Sequence, residues 1–578
     1  MYILSSCAII AHTLSSMKKK LFILVMAIIP FQLGLSQNRP VGFDFFPEEL
    51  NSLPLTELTT FDHAQLWAED SQYERQGGRT HVGRLIPYNQ SCYTTGVWSQ
   101  LPNGDRLWQW RFKTANAKGL CVYFDNFQIP LGSSMFLYPA DRSHFFGPAL
   151  NEDCNDHGKF MMGEIAGDEA ILEYYQPFEV IGEPTIEIRS VSHMYRYVFA
   201  GLEERGGGSD VCEVDVNCPE GAEWTDQRNA VVRLLITEGN FQGFCSGALV
   251  NNTSQDCRKF ILTALHCGVS TTDADWLLCQ VRFNYQRPDC GSGNATSSNN
   301  RVGVFRRADS NDNGGDNGSD FLLLELEENP LQSWNIYYAG WDARAITPQN
   351  CVGIHHPAGD VKKISATDNI VSGGWGINGT HWQVTWIPTE TNWGVTEGGS
   401  SGSPLFNEDK RIVGHLTGGG SCCTAGGCGF GTSPSAPDSY GKLDRDWDNN
   451  PNAADQKLKV WLDPTNTGIE FMDGSYLVPG GDYPCVTVVN QDEMTLNFTD
   501  VMLMPSVGNG AIKLSFPEHM VVLGYTVCDQ NGRWVYSMNK SMNSPQSLDL
   551  SALENGVYFL TIRSASGSSI TKKIQIIH

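Results

Sequence analysis

Long stretches with a 3.6-residue apolar period are scarce in this 578-residue chain, whereas short apolar runs closed by Gly, Pro, Asn or Asp recur along it. Residues 107–112 (Leu-Trp-Gln-Trp-Arg-Phe) alternate directly after a Pro-Asn-Gly-Asp turn, the pattern of a half-buried strand. With 59 glycines and 15 tryptophans, the chain reads as a mainly β, loop-rich protein. Its length calls for about three folded units. A hydrophobic content of 41% is ample for their cores.

The formal net charge of −24 argues against nucleic acid or an anionic membrane as partner. Met17-Lys18-Lys19-Lys20 followed by an apolar run to Phe31 reads as a secretory signal within residues 1–36, with Met17 as an alternative start. No other segment is apolar enough to cross a bilayer. Seventeen cysteines in an exported chain point to disulfides rather than thiolate chemistry. No paired CxxC spacing marks a zinc site, so neither a metal nor a cofactor is expected.

Three short segments carry chemistry. Glu397-Gly398-Gly399-Ser400-Ser401-Gly402-Ser403-Pro404 can place a serine hydroxyl on a tight turn whose N–H groups converge on one point, as an oxyanion hole requires. Residues 261–268 form an apolar run that ends in His266-Cys267. Residues 318–326 open a second apolar run with Asp320. A serine hydroxyl is a poor nucleophile without an adjacent base, and an imidazole needs a carboxylate to hold its tautomer. The expected roles are therefore Ser401 as nucleophile, His266 as base and Asp320 as its orienter, with the N–H groups of Gly399 and Ser401 as oxyanion donors. The order His, Asp, Ser, with gaps of 54 and 81 residues, resembles the chymotrypsin-type two-barrel proteases and differs from the subtilisin and α/β-hydrolase orders.

A narrower resemblance covers a little under half of the chain, from about Cys212 to Gly474. Cys212-Glu213-Val214-Asp215-Val216-Asn217-Cys218-Pro219, Gly247-Ala248-Leu249-Val250, Ile354-His355-His356-Pro357, Gly394-Val395-Thr396-Glu397 and Trp461-Leu462-Asp463-Pro464 resemble the bacterial lysyl endopeptidase family of trypsin-like serine proteases. That resemblance implies a double β-barrel and bridges Cys212–Cys423, Cys218–Cys290 and Cys245–Cys267. It leaves Cys257, Cys279, Cys351, Cys422 and Cys428 unassigned. It also implies that Asp438 lies at the base of a pocket for Lys or Arg side chains, with Trp375 beside it. The family's second flanking position, a His, corresponds to Thr417, so some tolerance of Arg is expected. Ser400 replaces the aspartate that in trypsin pairs with a freed N-terminus, so activation should follow removal of a pro-region instead.

Residues 37–205 form an N-terminal β-rich unit that resembles the family's pro-region; the alternative is an independent binding sandwich. The Gly-rich junction 203–210 offers cleavage after Arg205. The protease unit is expected over 206–474 and a Pro/Gly linker over 475–498. Residues 499–578 resemble the small β-sandwich sorting domain of type IX secretion substrates, which implies that machinery as partner and a secreted or surface-attached location. The loop 309–320 fits the spacing of a calcium-binding EF-hand, but no helix-like segment flanks it and its twelfth position is Asp320. The expected activity is endopeptidase cleavage after Lys and Arg. The alternative is an inactive protease-fold binding protein, against which all three triad positions are occupied.

Overall fold

The computed structural model describes chiefly residues 39–45, 52–74, 79–196, 208–293, 299–315, 318–424, 431–476 and most of 502–578. The expected signal segment, the processing site at Arg205 and most of the linker lie outside the described residues. Among them no helix is long and apolar enough to cross a membrane.

Strands dominate, as the alternating runs require. Arg106–Lys113 buries Leu107, Trp108, Trp110 and Phe112 and pairs antiparallel with Glu169–Gln176 at the centre of a six-stranded sheet. The central unit holds two further sheets. In one, Phe260–Ala264 lies between Phe241–Val250 and Phe321–Leu326, all antiparallel. Every residue of Phe260–Ala264 is buried, because the strand is covered on both faces, and this explains its unbroken apolar run. The other is a nine-stranded sheet in which Pro404–Asn407, Ile412–Gly419 and Asp438–Lys442 follow one another. Val231, Phe260 and Phe321 of the first share a core with Ile354, Phe406 and Ile412 of the second. This unit runs slightly past its expected end, because Ser475–Tyr476 pairs with Tyr337–Tyr338.

The N-terminal unit does not pack as a separate body. Phe241–Val250 also pairs antiparallel with His81–Ser91, which joins Thr185–Met194, Gly119–Gln128 and Phe160–Ala166 to one eleven-stranded sheet. Tyr123, Met161 and Met194 share a core with Leu235, Phe244 and Leu278. Beneath it, the fully buried Glu164 carboxylate lies 2.5 Å from the Arg233 guanidinium and 3.0 Å from that of Arg282. The C-terminal strands, among them Val522–Asp529, Gly556–Ser564 and Ser569–Ile576, enclose their own core of Leu514, Val527, Leu560 and Ile574.

Candidate active site

His266 sits in a single 3₁₀ turn, Leu265–Cys267, immediately after Phe260–Ala264. The register Ala264↔Phe321 brings Asp320 beside that turn. The Leu265 and His266 N–H groups donate to the Asp320 carbonyl (2.6 Å) and to its Oδ1 (2.8 Å), and His266 Nδ1 lies 2.6 Å from its Oδ2. With Nδ1 held as donor by this buried carboxylate, Nε2 is the nitrogen free to accept a proton. Asp320 has φ +65°, a left-handed conformation that Asp tolerates better than most residues. Its N–H donates to Asp312 Oδ2 at 2.8 Å, while Asp312 Oδ1 accepts the N–H groups of Gly314 and Gly315. The acidic loop is therefore braced from within, and Asp309, first position of the calcium-loop pattern, faces Arg306 at 2.7 Å.

The serine turn has a distinctive pattern of N–H use. The N–H groups of Ser400, Gly402 and Ser403 donate to the carbonyls of Glu397, Leu416 and Ser400. Among the described residues those of Gly399 and Ser401 make no hydrogen bond. Two unpaired N–H groups flanking one bonded group make a small concave donor site for an anionic oxygen. Gly399 (φ +100°) and Gly402 (φ +78°) permit this shape. A Cβ on Gly402 would lie 2.1 Å from Thr263 Oγ1 and 2.8 Å from the Ala264 nitrogen. The turn is thus pressed against the end of the strand that delivers His266. Ser246 N–H donates to the Ser401 carbonyl (2.8 Å), and the Cys245–Cys267 bridge closes the loop between.

Cys212–Cys423 and Cys218–Cys290 are also bridged, and Cys257 and Cys422 are disulfide-bonded as well. Cys279 and Cys351 are buried free thiols, and Cys428 lies outside the described residues.

Asp438 is fully buried. Its Oδ2 accepts from Trp386 Nε1 (2.6 Å), Thr396 Oγ1 (2.8 Å) and Ser421 Oγ (2.6 Å), and its Oδ1 accepts from Ser421 N–H (3.0 Å). Burial pushes this carboxyl above its ordinary value, and the four donors oppose that shift. A Cβ on Gly419 would meet Oδ1 at 2.0 Å, so only glycine leaves that oxygen room. Trp375, 42% exposed, lies over the neighbouring glycine: a Cβ on Gly418 would be 3.1 Å from Trp375 Cη2. Thr417 does not share this face. It is buried, and its hydroxyl pairs with His381 Nε2 at 2.9 Å. The residue under the tryptophan is therefore Gly418.

Residues 206–440 match the family described as lysyl endopeptidase, C-terminal domain, and residues 504–577 match the secretion system C-terminal sorting domain. This chain is a secreted, trypsin-like serine endopeptidase. It is 28% identical over 347 residues to the lysyl endopeptidase of Pseudomonas aeruginosa, which spans 57% of this chain and 73% of that protein. The secreted RxLR effector protein 73 of Plasmopara viticola is 25% identical over 308 residues, 51% of this chain and 73% of that one. Among solved structures, the active form of the Rv3671c protease of M. tuberculosis is 12% identical, covers 42% of this chain and 88% of its own, and has a TM-score of 0.25. A likeness of that size adds nothing to the strand topology. The sorting domain accounts for the protein's place outside the cell or on its surface.

Two features beside the candidate site carried no sequence signal. His415 Nε2 lies 3.0 Å from Asp446 Oδ2, both fully buried. Burial disfavours the imidazolium, but Asp446 outweighs it and raises the His415 pKa, with Asp320 and Asp312 adding to the effect. This second His–Asp pair lies behind Asp320: a Cβ on Gly441 would meet both the Ser319 carbonyl and the His415 ring. The second feature comes from the N-terminal unit. Arg79 donates from Nη1 to the Cys267 carbonyl, and Thr80 Oγ1 lies 2.0 Å from where a Cβ on Gly398 would be.

Proposed function

We propose that the endopeptidase cleaves protein chains after Lys and Arg through an acyl-enzyme formed on Ser401. The observation that carries this reading is the Asp320–His266 pair, with carboxylate and imidazole 2.6 Å apart at the strand end against which the Ser401 turn is packed. His266 Nε2 takes the Ser401 proton during attack and returns it to the leaving amine, while Asp320 stabilises the imidazolium. The Gly399 and Ser401 N–H groups receive the developing oxyanion. Asp438 supplies the counter-charge for a cationic side chain entering beside Gly418 and Gly419. The name of the Pseudomonas aeruginosa relative supports the lysine preference. Thr417 in place of the family's flanking His supports tolerance of Arg.

The N-terminal unit acts as the pro-region. Thr80 lies against Gly398 of the serine turn and Arg79 holds the Cys267 carbonyl beside His266, contacts that removal of the N-terminal unit would release. The test is a fluorophosphonate probe. It should label Ser401 in the processed protein and leave a Ser401→Ala variant unlabelled; labelling of Ser400 or Ser403 would refute the assignment.

A further inference from the structure

The Ser401 turn begins at Glu397, whose side chain points away from the substrate face toward the segment that enters the central unit. Glu397 Oε1 accepts the Asp210 N–H at 2.8 Å. Beside it lies Glu213, whose side chain is fully buried and whose two carboxyl oxygens have no hydrogen-bond donor among the described residues. The same region supports the back of the turn. Ser400 Oγ accepts the Glu397 N–H at 3.2 Å and pairs with His355 Nδ1 at 2.8 Å. His355 Nε2 is 3.9 Å from Glu213 Oε2. None of these groups belongs to the proposed triad or its oxyanion donors, yet Glu397 and His355 both bond Ser400, the residue preceding the nucleophile.

We propose that Glu213 and Glu397 are positioning residues: a protonated Glu213 donates to Glu397, and this shared proton fastens the entry segment to the base of the Ser401 turn. Two ionised carboxylates at this contact would repel each other in a poorly solvated place. Further titratable groups surround the pair, among them Tyr440 of Asp438–Lys442, whose hydroxyl burial and then Asp438 keep protonated. The entry segment adds Asp210, the turn Pro357–Gly359 leads to Asp360, Cys351–His355 adds His355, and Lys363–Thr367 adds Lys363. His355 is held neutral, because burial and then Lys363 lower its pKa to about 3. Lys363 is the cation facing Glu213, but its ammonium already pairs with Asp215 at 2.6 Å. The nearby Cys423 belongs to a disulfide, so Asp210, Glu397 and Cys423 do not form a metal site.

Burial and then Glu397 push Glu213 well above the ordinary glutamate value, and burial brings Glu397 up to about 7. Acids raised in the folded state stabilise it fully below their ordinary values, and that contribution is lost as pH rises through the folded ones. Ionisation of Glu397 at about 7 leaves Glu213 as donor to a carboxylate, so the turn should stay held through neutral pH and loosen at alkaline pH, where Glu213 loses the shared proton against an ionised Glu397.

This inference rests on Ser401 being the nucleophile, and one experiment separates the two. The secreted protein, processed as its host releases it, is compared with Glu213→Gln and Glu397→Gln. Three quantities are followed from weakly acidic to alkaline pH: the rate of fluorophosphonate labelling at Ser401, and kcat and KM for a lysyl amide substrate. Either glutamine can keep the hydrogen bond but cannot ionise. Both variants should stay within about threefold of wild-type kcat at neutral pH. Both should retain kcat and labelling rate at alkaline pH where the wild type declines, with KM moving little. Glu213→Ala, which removes the donor, should lower kcat at every pH by about tenfold. A merely structural role would lower the melting temperature of the variants without changing the pH dependence of kcat. Coincident alkaline decline in the wild type and both glutamine variants would overturn the inference while leaving Ser401 in place. Absence of labelling at Ser401 at any pH would overturn the nucleophile assignment, and this inference with it.

Discussion

The Asp312 carboxylate holds the backbone of Asp320, accepting its N–H at 2.8 Å while Asp320 grips the His266 ring from the other side. Both aspartates are buried, and the gripped residue is in a left-handed conformation that its neighbours must maintain. Asp312 reaches no reacting atom; it acts by fixing where Asp320, and hence the imidazole, can be.

Asp312→Asn should therefore damage turnover more than binding. Both Asp312 oxygens accept hydrogen bonds, and an amide NH₂ in place of one would oppose an N–H donor. A loss of kcat of ~10–100-fold is expected, with KM within a few-fold, because small displacements of a catalytic group are costly. Steady-state kinetics on a lysyl amide substrate would check it; an unchanged kcat would show that the loop tolerates the swap.

The Cys245–Cys267 bridge adjoins His266 and should be structural. Replacing both cysteines by serine should cost about 2–5 kcal/mol of stability. Thermal unfolding under non-reducing conditions measures the loss, and mass spectrometry of non-reduced digests should find the bridged peptide in the wild type.

How much of this was legible in the chain follows from how local each signal is. His266, Asp320 and Ser401 each stand at the end or turn of a short apolar run, so their context and order could be read without the fold. The pair His415–Asp446 could not, because its members are 31 residues apart and share no motif. The packing of Trp375 on Gly418 could not be read either, because a one-residue phase along a strand decides which position faces a neighbouring side chain. Ile412–Gly419 also carries an irregular register between Leu416 and Gly418 as it pairs with Asp438–Lys442. The sheet shared by His81–Ser91 and Phe241–Val250 had no local signature either, since the strands are separated by about 150 residues of sequence and pair through ordinary backbone bonds.

That shared sheet has an energetic consequence at Glu164. Glu164→Ala would leave Arg233 and Arg282 buried without their carboxylate. Breaking a buried pair on one side costs about 3–5 kcal/mol. Denaturant unfolding of the unprocessed chain should show a loss of that order, whereas an exposed pair such as Arg106–Glu183 should show almost none on removal.

The C-terminal strands have a core of their own and contribute none of the residues placed at the candidate site. A chain ending at Asp482 should retain hydrolytic activity when refolded yet fail to leave its native host. Fractionating the host and assaying each compartment decides this; normal release of the truncated chain would contradict the sorting role.

The central claim is that Asp438 selects the basic side chain before the cut. The most direct measurement is to digest an unbiased peptide mixture with the secreted protein and sequence every new junction, in parallel with Asp438→Asn. The account predicts Lys and Arg immediately before the cut, with both strongly suppressed in the variant, since losing a desolvated charge partner costs several kcal/mol, on the order of 2–5. Cleavage mainly after apolar or acidic residues, or a variant that still prefers basic ones, would contradict it.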